Sequence, residues 1–305
     1  MSFNWVKIKK ILNPYDSKVT WVGSNCGASF VLPTSNKKIY DLFVTGRDKN
    51  NYSQIGKLKL DFSYIEKINI IPDGNSIIFN KGDKGSFDEH GVAYPWFLKN
   101  DDEMLMYYVG WKKRPDIPFI NNIGIAEYKN GTIKRLCKNY IKIKNENSNF
   151  GIGSCAVDKK NNEYLMWYTC FKKWKWIDGN LQPRYIINIA RSIDGINWTK
   201  EAENIFQLNK NNYCQCRPTF LRNNDGYEMW FSARGEDYQI YKSKSNNGLV
   251  WSDEVLDISL SKEGWDSKGM AYPYVFTHEN DTYMIYSGNK YGKGGLGIAK
   301  RMLVQ

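Results

Sequence analysis

Residues 266–299 read DSKGMAYPYVFTHENDTYMIYSGNKYGKGGLGIA, and their first half is written again, almost unchanged, as Asp88-Glu89-His90-Gly91-Val92-Ala93-Tyr94-Pro95. Overlaid, the two copies give Asp-x-x-Gly-(Val/Met)-Ala-Tyr-Pro, an apolar strand, a short polar turn, an aromatic-rich second strand and a Gly-rich third strand. The second-strand signature recurs as Tyr40-Asp41-Leu42-Phe43, Met104-Leu105-Met106-Tyr107, Tyr164-Leu165-Met166-Trp167, Tyr227-Glu228-Met229-Trp230 and Tyr283-Met284-Ile285-Tyr286. A period of roughly 60 residues repeated five times predicts five four-stranded blades. The expected fold is therefore all-β, a five-bladed β-propeller occupying residues 1–305 as one domain.

One strand is left over at the front. Residues 5–12, WVKIKKIL, alternate as a strand but precede the first copy, while the fifth copy ends after its third strand, residues 295–302. The spare strand is expected to supply the missing outer strand of the last blade, closing the ring and hiding two sheet edges. Blade one is expected over residues 26–32, 40–45 and 54–61, with 64–71 outermost. Blade two takes 92–98, 104–110 and 123–128, turning at Asn130-Gly131, where Asn-Gly tolerates positive φ. Blades three and four share a plan: 154–157, 164–170, 187–192, Asp194-Gly195 and Trp198 in one, 217–221, 227–232, 240–244, Asn247-Gly248 and Trp251 in the other. The paired tryptophans read as packing between blades. No helical periodicity is sustained, and a β-sandwich accounts for the alternation but not for five repeats with a spare first strand.

Hydrophobic residues make up 42% of the 305 and aromatics 15%, enough for a packed core. The net charge of +11 points to anionic partners: nucleic acid, acidic polysaccharide, or phosphorylated and nucleotide-linked sugars. Six scattered cysteines without a CxxC pair, and only two histidines, predict neither a zinc site nor another metal or cofactor. No stretch reads as a signal peptide or an integral membrane segment, so a reducing cytoplasm is expected. Trp174 and Trp176 lie among lysines, yet no nucleic-acid-binding motif accompanies them, and no nucleic-acid partner is expected.

In a propeller the starts of first strands and the ends of second strands share one face. That face collects Asn25, Asp88, Glu89, His90, Ser154, Gln215, Arg217, Asp266, Ser267 and Lys268 with Arg47, Asp48, Trp111, Lys112, Phe171, Arg234, Glu236, Asn289 and Tyr291. Carboxylates beside aromatics suit chemistry at a sugar's anomeric carbon, where one acid protonates the leaving oxygen and a second carboxylate attacks or activates water. The catalytic candidates are Asp88, Glu89, His90, Glu236 and Asp266. Candidates for holding substrate are Arg47, Asp48, Trp111, Arg217, Arg234, Lys268, Asn289 and Tyr291. Asp88 and Asp266 hold equivalent repeat positions, which fits turn capping. Glu89 and His90 have the counterparts Ser267 and Lys268, so the repeat does not require them, and Glu89 is the expected proton-transfer group. The arginines read either as interblade salt bridges or as a clamp for phosphate or carboxylate. Long loops after the second strands, residues 112–122 and 172–184, mark the same end as functional.

The motifs DEHGVAYP, YYVGW with PFINNIGIA, PRYIINIARSIDGINW, CRPTFL with MWFSARG, and GWDSKGMAYPYVF with YSGNKYGKGGLGIA resemble the five-bladed propellers related to glycoside hydrolase families 43 and 32. The likeness is greatest to relatives associated with bacterial surface-polysaccharide biosynthesis and covers nearly the whole chain. It implies a carbohydrate-active enzyme. Those hydrolases carry an Asp in the first strand of blade one, an Asp in blade two and a Glu in blade three. Here the first position offers Ser24 or Asn25 and the third Ser154, so only blade two, with Asp88 and Glu89, keeps an acid. Glycosyl transfer, including furanosyl transfer, with an anionic or nucleotide-linked sugar or polysaccharide substrate is then the expected activity. A divergent glycosidase using Glu89 with Asp266 or Glu236, and a non-catalytic carbohydrate-binding propeller, stay open.

Overall fold

The computed structural model describes residues 3–16, 19–64, 67–71, 77–100, 102–208 and 213–304. The chain begins with β1 (Phe3–Leu12) and then builds blade one from β2 (Asn25–Pro33), β3 (Ile39–Arg47), β4 (Ser53–Asp61), β5 (Asn69–Ile71) and β6 (Ile77–Phe79). Blade two is β7 (Gly91–Asn100), β8 (Glu103–Lys112), β9 (Ile120–Lys129) and β10 (Thr132–Arg135). Blade three opens with the short β11 (Ile143–Lys144), followed by β12 (Ile152–Lys160), β13 (Glu163–Ile177), β14 (Asn180–Ser192) and β15 (Trp198–Ala202). Blade four is β16 (Cys214–Asn223), β17 (Gly226–Arg234), β18 (Tyr238–Ser245) and β19 (Val255–Ile258). Blade five is β20 (Ala271–His278), β21 (Asp281–Ser287) and β22 (Leu296–Leu303), with β1 outermost. A single helical turn, α1 (Asn289–Gly292), lies between β21 and β22.

The first strand closes the ring as its sequence demands, pairing antiparallel with β22 from Phe3 opposite Leu303 to Leu12 opposite Leu296. Side chains lock that seam. The Lys7 ammonium meets Asp266 at 2.9 Å, and the Trp5 indole N–H donates to Asp257 at 2.5 Å. Blade one departs from expectation. Its outer edge is two short pieces, β5 and β6, both paired with β4, and Tyr64 lies outside them as an exposed bend, while residues 65 and 66 of the expected strand fall outside the described residues.

The turn-and-tryptophan motifs of blades three and four do pack between blades. Trp198 donates to the Gly195 carbonyl at 3.1 Å and meets Tyr107 of blade two edge to face, and the Tyr107 hydroxyl donates to the same carbonyl at 2.8 Å. One blade on, Trp251 donates to the Gly248 carbonyl at 3.1 Å, which also accepts from Trp167 of blade three at 2.8 Å.

Every inner strand carries a β-bulge at the same place. The pairing register slips between Gly27 and Phe30, Ala93 and Trp96, Ile152 and Cys155, Cys216 and Thr219, and Ala271 and Tyr274. Two residues therefore face one on the neighbouring strand, and the backbone bends. Three of the doublets are Tyr94-Pro95, Arg217-Pro218 and Tyr272-Pro273, so the repeated Ala-Tyr-Pro motif encodes a bulge, one of the few places in a sheet that tolerates proline. Ala28, Tyr94, Arg217 and Tyr272 lie at φ between 46 and 57°, a left-handed conformation uncommon for such residues. Strain of about 1–3 kcal/mol per residue has to be held by the surroundings. Hydroxyls on adjacent blades help, since the N–H groups of Tyr94, Arg217 and Tyr272 donate to Thr45, Ser154 and Ser232 at 3.0, 3.1 and 2.7 Å.

Candidate functional site

The bulges turn their side chains towards the axis, and there they wall a cavity of about 530 Å³. Gly27, Ala28, Tyr94, Ser154, Cys216 and Tyr272 line it from the inner strands. Residues at the ends of second strands complete the wall, because Asn25 pairs with Arg47, Gly91 with Trp111 and Cys214 with Arg234 across the same rungs. Arg47, Trp111, Arg234 and Tyr291, all expected to hold substrate, thus meet in one cavity. Lys113 and Phe119 from the loop after β8 and Pro183 and Tyr185 from β14 add to it.

No aspartate or glutamate among the described residues lines this cavity. Its arginines are held by neutral groups instead. Arg234 donates to the Tyr291 hydroxyl at 3.0 Å and to the Gln182 amide oxygen at 3.2 Å, and its guanidinium lies over Tyr213 and Tyr238. Arg47 donates to the Asn51 carbonyl at 3.0 Å and lies 5.1 Å over the Trp111 ring. Arg217 was expected at the mouth but is fully buried beneath it, donating to the carbonyls of Ser29 and Pro95 at 2.9 and 3.1 Å. It joins the bulges of blades one and two to its own in blade four. Burial pulls its pKa down to about 10, which still leaves the guanidinium charged at neutral pH. Burial also pushes the Cys26 thiol up to about 12 and raises that of Cys216, so the two thiols on the wall are neutral and not poised as nucleophiles.

The expected acids lie elsewhere. Asp88 is buried at a corner of blade two, accepting from Arg135 of β10 at 2.8 Å, Ser86 at 2.8 Å and Tyr108 at 3.3 Å. Asp266 repeats the arrangement in blade five, with Lys7 of β1 at 2.9 Å and Tyr286 at 3.0 Å. In both, the cation comes from the outermost strand of the blade, so the carboxylate is held away from the axis. An aromatic ring completes each corner: Phe87 lies where a Cβ on Gly110 would be, and Trp265 where one on Gly288 would be. Glu146 is a third corner acid that the repeat alignment missed, bonded to the Tyr168 hydroxyl and, at 2.8 Å, to the Asn188 amide. Glu89 accepts the Gly85 N–H at 2.7 Å and stands 3.6 Å from His90, whose ring lies between Tyr52 and Trp111; none of Asp88, Glu89, His90 and Asp266 lines the cavity. Asp48 caps its own turn through the N–H groups of Asn50 and Tyr52.

Glu236 comes nearest. With Asp237, Lys268 and Lys290 it lines a side pocket of about 140 Å³ that shares Arg234, Tyr238 and Tyr291 with the main cavity. The segment around α1 contributes Tyr291 to both and Lys290 to the side pocket, and there Lys290 and Tyr291 both adopt positive φ, 53 and 59°. Asn25 fixes it by donating to the carbonyls of Lys290 and Tyr291, and Asn289, an expected substrate group, anchors it by donating to the Gly264 carbonyl and accepting from the Lys268 N–H. Sequence reasoning passed over Tyr94, Tyr272 and Tyr238 as wall residues, although the first two stand inside the repeat motif itself.

No protein-family model matches the chain. Two Mycobacterium tuberculosis proteins, Uncharacterized protein MT1551 of strain CDC 1551 / Oshkosh and Uncharacterized protein Rv1502 of strain H37Rv, are each 32% identical to it over 302 residues. The matches cover 97% of this chain and 98% of theirs. The chain belongs to their family. The family's fold is that of solved carbohydrate-active propellers. A glycoside hydrolase superposes with a TM-score of 0.73 at 14% identity, covering 98% of this chain and 92% of its own. A structure from the GH130 family of mannoside phosphorylases, which contains glycoside hydrolases targeting beta-1,2 mannosidic linkages in Candida mannan, gives 0.69 at 12% identity over 98% and 93%. A thermostable family-43 glycoside hydrolase gives 0.64 at 12% over 97% and 94%. The five-bladed architecture read from the repeat is therefore the architecture of these proteins.

Proposed function

We propose that the protein is a carbohydrate-active enzyme that transfers a glycosyl group from a phosphate- or nucleotide-linked sugar, binding the phosphate in the axial cavity. The observation that carries this reading is a cavity with Arg47, Lys113 and Arg234 on its wall, Arg217 below it, and no lining carboxylate among the described residues. Hydrolysis by paired carboxylates needs two acids about 5–9.5 Å apart across the scissile bond. A phosphate leaving group makes a different demand. When the bond from the anomeric carbon to the phosphate oxygen breaks, the electron pair stays on an oxygen that arginine donors stabilise without proton transfer. The acceptor hydroxyl forms the new bond to that carbon and gives its proton to Glu236, whose side pocket adjoins the cavity. Tyrosines and Trp111 supply ring faces and hydroxyls for the sugar.

The test is incubation with a panel of nucleotide sugars, hexose 1-phosphates and oligosaccharide acceptors, following release of nucleotide or phosphate. Turnover is expected only with phosphate-bearing donors, and Glu236→Gln is expected to slow it by roughly 10²- to 10⁴-fold while Glu89→Gln leaves it unchanged. Hydrolysis of neutral glycosides unaffected by these changes would overturn the reading, and binding of the donors without turnover would make the protein a sugar-phosphate receptor.

A further inference from the structure

The β13–β14 hairpin is longer than blade three requires. The blade's own pairing ends where Phe171 faces Tyr185, yet the ribbon continues with Lys173 opposite Arg184, Trp174 opposite Pro183, Lys175 opposite Gln182, Trp176 opposite Leu181 and Ile177 opposite Asn180. Five further rungs reach roughly 15 Å beyond the blade at the strand rise of about 3.3 Å per residue. The two-residue turn Asp178-Gly179, with φ of 50 and 70°, closes it in the conformation that matches the twist of a hairpin. Its root belongs to the cavity, since Pro183 lines the wall and Gln182 accepts from Arg234. The tip has no counterpart in the other four blades.

Strand alternation gives the ribbon two unlike faces. Trp174, Trp176, Leu181 and Pro183 share one, and Lys173, Lys175, Gln182 and Arg184 the other. Trp174 packs its ring against Phe119 and Phe171 and is half-buried. Trp176 is 74% exposed. A large indole in water one rung from the end of a projecting ribbon, opposite Leu181, is a feature that folding does not explain. Lys175 and Lys173 are exposed one and three rungs behind Trp176 and meet no carboxylate among the described residues. Lys172 is paired with Glu203, Arg114 of the facing loop with Asp116, and Asp178 is the one acid in the ribbon's extension.

We infer that this ribbon is a membrane-contact element, which docks the mouth of the propeller on an anionic lipid bilayer by inserting Trp176 at the interface and placing Lys173 and Lys175 among the headgroups. Indoles partition to the headgroup level of bilayers, and lysines near an anionic surface each add attraction. The overall charge of +11 acts in the same direction. A glycan platform would need several free rings in a row along the groove, whereas only Trp176 is free here. This inference concerns a surface and is independent of which ligand the cavity holds.

The test is co-sedimentation of the full chain with phosphatidylcholine vesicles, alone or mixed with phosphatidylglycerol, at low and high salt. Binding is expected only to the mixed vesicles and to weaken with salt. Trp176→Ala and, separately, Lys173→Glu with Lys175→Glu are expected to weaken it roughly tenfold or more, while hexose 1-phosphate binding and thermal unfolding stay as in the parent. No sedimentation with the mixed vesicles, equal sedimentation with both kinds, or unchanged binding by both variants would overturn the inference. Retention by soluble polygalacturonate without any vesicle binding would also overturn it and assign the ribbon to acidic glycans.

Discussion

At the seam between blades four and five, Arg301 donates to both carboxylate oxygens of Glu228 at 2.7 and 2.9 Å, and Asp257, which accepts from Trp5 across the seam, meets Lys242 of its own blade at 2.6 Å. Around the axial cavity, Arg47 and Arg234 on the wall and Arg217 buried beneath it meet carbonyls, a hydroxyl, an amide and ring faces, and no carboxylate among the described residues. The two regions sit in one sheet architecture and draw on the same amino-acid vocabulary, so the difference is not imposed by the fold. Where a cation holds blades together, an acid neutralises it; where cations converge on an open space, the acids are withheld. Leaving a buried charge without a counter-ion is costly, and an anion arriving from solution would relieve that cost.

The largest effect is expected at the seam. Deleting residues 1–12 removes the outer strand of blade five and strips Lys7 from Asp266 and Trp5 from Asp257. Stability is expected to fall by more than about 4 kcal/mol, beyond the ordinary range of single substitutions. Thermal unfolding unchanged by the truncation would show that the ring closes without β1.

Next in size is the corner acid of blade two. Asp88→Asn leaves Arg135 facing a neutral amide and is expected to lower stability by roughly 2–4 kcal/mol, below the full figure for a buried pair because Arg135 is partly exposed. Denaturant unfolding of the variant measures it. A loss below about 0.5 kcal/mol would mean that the corner is not a structural ion pair.

The smallest effect is in acid. Burial acts to raise the pKa of Asp266, but hydrogen bonds from Lys7, Ser261 and Tyr286 and the Lys7 charge together lower it below the ordinary carboxylate value. A depressed folded pKa adds stability that is fully present above the unfolded value near 3.9 and is lost as pH falls through the folded one. Melting temperature should therefore decline below about pH 4, and Asp266→Asn should flatten that decline. An identical acid limb in the variant would remove Asp266 from the account.

The blades were legible because second strands and turns repeat openly, and because β1 precedes the first repeat and, among the described residues, pairs with β22 alone. Arg47, Trp111, Arg234 and Tyr291 were legible as wall residues because a second strand must end at the mouth. The acids misled for a physical reason. Asp88 and Asp266 precede an inner strand by a few residues, but the chain enters that strand from the periphery, and an outer-strand cation captures each carboxylate there. Tyr94 and Tyr272 were hidden, and Arg217 was expected at the mouth rather than beneath it, for a different cause: strict alternation assigns them a side of the strand, and the bulge re-aims them. Only the proline after each of them hinted at it.

A calorimetric titration of hexose 1-phosphate against the unphosphorylated hexose, with the parent protein and with Arg234→Ala, tests whether the axial cavity is a phosphate site. The parent is expected to bind the phosphorylated sugar far more tightly than the neutral one, and Arg234→Ala to weaken that binding by roughly 1.5–3 kcal/mol, the range for hydrogen bonds to charged groups. Equal affinity for the charged and the neutral sugar, unchanged by the loss of Arg234, would contradict it.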